Sequence, residues 1–109
     1  MDLRRQQRFP VHFESVLSGQ QRGESVGTII NLSKSGCRAK SDSQVYSGMQ
    51  VSLRFDVPGE TSPICIERAA VRWTRGGELG VGFITVAVPG QERLDQLLTR
   101  LKQELPNFP

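Results

Sequence analysis

At 109 residues the chain has the length of one compact domain, long enough to bury a modest core without metals or disulfide staples. Its composition is that of an ordinary globular protein, no run approaches the ~18 apolar residues of a membrane span, and no signal peptide opens it; a cytoplasmic protein without membrane insertion is expected. Fourteen Lys and Arg against 11 Asp and Glu leave a net charge of +3, too mild for a duplex-binding protein; the basic character is local, with three arginines in residues 4–8.

Residues 1–10, "MDLRRQQRFP", read as a flexible basic arm carrying R-x-x-x-R and closed by a proline, leading into one folded domain over 11–105. "VHFESVLS" is a ragged first strand, ended by the polar turn "GQQRG". "SVGTIINLS" alternates, with Val26, Thr28, Ile30 and Leu32 on one face and Gly27, Ile29, Asn31 and Ser33 on the other. If that strand persists to its end, Asn31 and Ser33 point the same way. "GCRAKS" is a short third strand. "MQVSLRFDV" is the cleanest, its Met49, Val51, Leu53, Phe55 and Val57 alternating with polar residues. "ICIERAAVRWTR" changes phase: Ile64 and Ile66 cannot share a face with Ala69, Val71 and Trp73 without a bulge near Glu67. A turn at Gly76-Gly77 leads into "ELGVGFITV", with Leu79, Val81 and Phe83 inward.

After Pro89-Gly90 the period becomes helical, with Leu94, Leu97, Leu98, Leu101 and Leu105 forming one stripe before Pro106. Six short strands with Gly-rich turns and one closing helix predict a mainly all-β fold, a six-stranded antiparallel β-barrel with a C-terminal α-helix. Closure removes the exposed edges that short strands present. The leucine stripe is expected to lie over the barrel mouth or flank.

Catalysis finds little support. The single histidine, His12, heads a strand as an expected surface residue, and no nucleophile elbow, P-loop or dinucleotide fingerprint occurs, so no catalytic residues, no cofactor and no enzyme activity are expected. Cys37 and Cys65 read as buried free thiols, and no spacing suggests a metal site. Two polar constellations remain. Arg4, Arg5 and Arg8 can grip phosphate through paired N–H donors and stack on bases, though a solvated basic terminus would look the same. In "NLSKSGCR", Asn31 and Ser33 offer groups to base edges, and Gly36 allows a positive φ or a close approach, though turns favour the same residues. Together, a fixed corner and a basic arm make a coherent nucleotide site. A nucleic-acid platform would need more aromatics on a basic face, so no DNA or RNA partner is expected.

"RRQQR" followed by "NLSKSG" resembles the PilZ domain, the bacterial receptor module for cyclic di-GMP, whose pattern is R-x-x-x-R and then [D/N]-x-S-x-x-G. Arg4 and Arg8 match the first motif, and Asn31, Ser33 and Gly36 the second; "VRWTRGGELGVGF" is similar to the family's closing hairpin. The likeness covers about residues 3–103. It implies a six-stranded antiparallel barrel with a C-terminal helix and an arginine arm that folds over the ligand. Arg4 and Arg8 would contact phosphates and stack on guanine, with Arg5 helping, while Asn31 and Ser33 would meet a guanine edge. Trp73 would lie either beside the ligand or in the core; Arg38 and Arg75 are candidates for further phosphate contacts. The function implied is a stand-alone cyclic di-GMP sensor that orders its arm on binding and acts on a downstream protein the sequence does not identify. The alternative is a ligand-independent PilZ-like protein-interaction scaffold.

Overall fold

Turn chemistry and alternation set the strands. Gly76 and Gly77 both take positive φ, 57° and 83°, the pairing a two-residue hairpin turn needs. They join β5 (Ile64–Arg75) to β6 (Glu78–Thr85), and with β1 (Phe9–Gly19), β2 (Gly23–Leu32), β3 (Gly36–Ser41) and β4 (Gln50–Phe55) they make up the strands of the computed structural model, which describes residues 7–19, 23–42 and 44–104. The strands close into the antiparallel barrel that the sequence predicts, in the order β1-β2-β3-β6-β5-β4. β1 begins at Phe9, itself buried, so the barrel starts two residues before the boundary drawn at Val11.

The lumen is filled. Val51, Leu53 and Phe55 of β4 and the following Val57 point inward as their alternation requires, meeting Leu17, Ile66, Leu79 and Val81. Phe13 and Phe55 stack with ring centroids 5.9 Å apart. Each fully buried Leu, Ile or Phe side chain contributes roughly 1.5–3 kcal/mol of transfer free energy, which makes this the main support of the fold.

Three of the five register shifts among the described strands steer the rest. β5 carries an extra residue at 67–68 against β4, which turns Ile64, Ile66, Ala69 and Val71 all inward, as the phase change predicts. Cys65, between two inward isoleucines, is therefore exposed, contrary to the expectation of a buried thiol; Cys37 is buried and also free. β2 carries an extra residue, Ile30, against β3. The expected face of Val26, Thr28, Ile30 and Leu32 is broken there: Ile29 and Leu32 both point into the core, and Val26 is 76% exposed. The third insertion is Arg72 of β5 against β6, since Val71 pairs Val81 and Trp73 pairs Gly80. It turns Trp73 out of the core, leaving it 41% exposed.

α1 (Val88–Glu104) includes Pro89 and Gly90 rather than following them, because a proline is tolerated in a first helical turn where no partner for its N–H is required. The Glu67 carboxylate, on the first bulge, accepts the Ala87 N–H at 2.8 Å and caps the helix start. Leu94 and Leu97 are buried against the barrel, with Leu98 and Leu101 partly so. Arg93 fastens the helix to the loop before β5, donating to the Ser62 and Pro63 carbonyls at 2.6 and 2.7 Å. Leu105, Pro106 and the arm residues Arg4 and Arg5 lie outside the described residues. Among the described residues no helix is long and apolar enough to cross a membrane.

Candidate functional site

The two polar constellations meet on the outer wall of the barrel. Arg8, just before β1, donates from Nη1 to the Asn31 Oδ1 at 2.8 Å across 23 residues of sequence. Asn31 pairs Pro10 on one side and Arg38 on the other, in the middle of the β1-β2-β3 surface. The Ile30 bulge sets this direction: with Ile29 and Leu32 both inward, the side chain between them and past the bulge is released to the outside.

β2 ends at Leu32, so the condition for Asn31 and Ser33 to point together is not met. Ser33 is buried, and its hydroxyl donates to the Gly36 carbonyl at 3.2 Å while its N–H donates to the same oxygen at 2.9 Å. Ser33 thus closes the 33–36 turn from inside. Gly36 does not take a positive φ; what it supplies is the close approach, because a Cβ there would collide with the Val81 carbonyl oxygen of β6. The Phe83 N–H donates to the Ser35 carbonyl at 2.8 Å and ties the turn to β6.

A cavity of about 480 Å³ opens beside this corner, within the range of small-molecule sites. Arg8 and Asn31 line it from the β1 and β2 end, Arg72 and Trp73 from β5, with Gly36 and Arg38 of β3 and Gly80 and Gly82 of β6 between them in strand order. Both glycines have a side-chain tenant: a Cβ on Gly80 would strike the Trp73 indole, and one on Gly82 the Arg72 guanidinium. Trp73 therefore lies on the cavity wall rather than in the core. Arg38 is held by Glu78, its Nε donating to Oε1 at 2.7 Å. A second cavity of about 500 Å³ adjoins along Arg38 and Trp73 and is lined also by Arg75 and Glu78.

The field is positive, with Arg8, Arg38 and Arg72 around one opening and Glu78 the carboxylate bonded to Arg38. The buried Cys37 thiol beneath it is pushed up to about 12, burial being the main cause and the nearby Arg8 charge a smaller opposing one. It stays protonated and apolar in use. Among the described residues no group of His, Cys, Asp and Glu could hold a metal ion. The wall thus has hydrogen-bonding edges, cations and an indole face, a set suited to a purine and an anion.

The model of the PilZ domain family matches residues 2–100. The chain belongs to the PilZ domain family. PilZ domains are binding modules rather than enzymes, and cyclic di-GMP reception is their general role. Among solved structures, the PilZ domain of CeSA from a cellulose-synthesizing bacterium superposes with a TM-score of 0.69 at 15% identity, covering 88% of this chain and 98% of that one. The Bacillus subtilis inhibitor of motility MotI/DgrA superposes with a TM-score of 0.78 at 18% identity over 98% of this chain, which spans 55% of that longer protein. At these identities the likeness is one of fold. No curated protein sequence matches the chain.

Arg72 was not among the residues singled out from sequence. Its signal was present but silent: in a strand of regular pleat, Arg72 outward would force Trp73 inward.

Proposed function

We propose that this PilZ domain is a cytoplasmic cyclic di-GMP receptor with no catalysis of its own, binding its ligand on the outer wall of the barrel and acting through a downstream protein. The observation that carries the reading is the Arg8–Asn31 hydrogen bond, which joins the arm motif to the corner motif at the rim of the 480 Å³ cavity. That bond uses one N–H of a guanidinium that carries five, leaving a fork for phosphate. Asn31 and the flat Gly36 corner take a guanine edge, Ser33 holds the corner in shape, and Trp73 offers a face for stacking. Arg4 and Arg5 join from the arm, which becomes ordered over the ligand; a partner reads that order–disorder change.

Calorimetric titration with cyclic di-GMP, with GTP and cyclic di-AMP as controls, tests this. The expected result is selective micromolar or tighter binding that Arg8→Ala weakens about tenfold or more, since a charge-assisted contact is worth roughly 1.5–3 kcal/mol. Absence of heat and of a thermal shift from the wild-type protein would overturn the reading in favour of a ligand-independent scaffold.

A further inference from the structure

Three features converge on Arg72. It is the inserted residue of the β5 bulge opposite β6, so Arg72 and Trp73, consecutive in sequence, both leave the core and both line the same cavity. Bulges re-aim side chains at functional sites, and this one aims two at once. Its guanidinium lies where a Cβ of Gly82 would stand, so the missing side chain on β6 provides its berth. Finally, it lacks a counter-ion. Arg38, Arg54, Arg93 and Arg100 each have a carboxylate within salt-bridge distance, whereas Arg72 has none among the described residues, a condition it shares on this cavity with the motif residue Arg8 and elsewhere with Arg68 and Arg75.

An arginine that only decorated a surface would need neither the bulge nor the vacant Cβ. An unpaired cation held at the wall of a concave site lacks an anion, and its planar fork matches a phosphodiester. We propose that Arg72 is a phosphate-binding residue of the ligand site, lining the same cavity as Arg8 so that the dinucleotide meets two guanidinium groups, with Gly82 as the positioning residue whose missing side chain makes room for the Arg72 guanidinium. The inference rests on the cyclic di-GMP reading above and adds a residue outside its two motifs.

The test is a set of titrations with cyclic di-GMP on the wild type, Arg72→Met, Arg72→Lys, Gly82→Ala and the Arg72→Met/Gly82→Ala double variant, at low and at physiological salt. Arg72→Met is expected to bind about tenfold or more weakly, with a shallower loss of affinity as salt rises, because one screened charge contact is gone. Arg72→Lys recovers part of the loss, keeping the charge without the fork. Gly82→Ala displaces a flexible side-chain end rather than backbone, so the fold is kept; it weakens binding in the wild type but adds nothing in the Arg72→Met background. If Arg72→Met binds within twofold of wild type while Arg8→Ala is impaired, the Arg72 inference is wrong and the receptor reading stands. If the wild type itself does not bind, both fall.

Discussion

Replacing Gly36 by alanine separates a role in the fold from a role in the ligand site. The residue opens β3, paired to Gly82 of β6, and its φ is one any residue can adopt. A Cβ would lie inside the contact radius of the Val81 carbonyl oxygen, 3.4 Å from the carbonyl carbon and 3.5 Å from Gly82 Cα. The obstacle is backbone on a paired strand, which cannot swing aside as a side chain would. The strands must separate by a sizeable fraction of an ångström at the point where Ser33 bonds the Gly36 carbonyl and Phe83 bonds Ser35. Weakening one or two such bonds at about 1 kcal/mol each, plus local strain, puts the cost at roughly 1–3 kcal/mol. For a domain of this size that lowers Tm by roughly 5–15 °C. Thermal denaturation without ligand, followed by circular dichroism, measures it. A Gly36→Ala protein melting at the wild-type temperature would refute the packing argument and leave the glycine to the ligand alone.

Ser15 Oγ is buried without a hydrogen-bond partner among the described residues, so Ser15→Ala is expected to stabilise the barrel by about 1 kcal/mol; a lower Tm would contradict this. Cys65, exposed, should react with a thiol reagent in the native protein, while buried Cys37 reacts only on unfolding; equal labelling rates would count against the burial pattern. With burial pushing its folded pKa up to about 12 from the ordinary thiol value of 9.0, Cys37 contributes stability that is complete below pH 9 and is lost as pH rises from there toward 12, because the unfolded thiol ionises first. Cys37→Val should therefore flatten the alkaline decline in urea-melt stability, and an unchanged decline would show that other groups cause it. Trp73 is the single tryptophan and borders the cavity, so cyclic di-GMP should change its emission, and Trp73→Phe should abolish that signal; a change that survives the substitution would place its origin elsewhere.

Strand order aside, much of the barrel was written in local pattern. β4 alternates cleanly because the extra residue in its pairing with β5 belongs to β5 and β4 itself inserts none, so Val51, Leu53 and Phe55 could be assigned directly. The Glu67 bulge was legible because it shifts apolar residues from one parity to the other within a single run. The Ile30 and Arg72 bulges were not. At Ile30 both parities of the run contain apolar residues, and at Arg72 the displaced residue is a tryptophan, equally at home in a core. The Arg8–Asn31 contact was foreseeable only as a pairing of motifs, since nothing local to either segment requires the other. Ser33 shows the opposite limit: its type suits a ligand contact, yet where its hydroxyl points depends on the strand stopping at Leu32, which alternation alone did not forecast.

Along β6, volume and vacancy alternate residue by residue. Leu79 and Val81 must occupy space in the lumen, while Gly80 and Gly82 must leave it empty for Trp73 and Arg72. A substitution can disturb one series and spare the other, so the receptor's interior and its recognition wall are free to diverge separately. A deletion of one residue between 79 and 82 allows no such independence: it would put glycines into the lumen and aliphatic side chains under the indole and the guanidinium. This strand should tolerate replacement far better than any change in length.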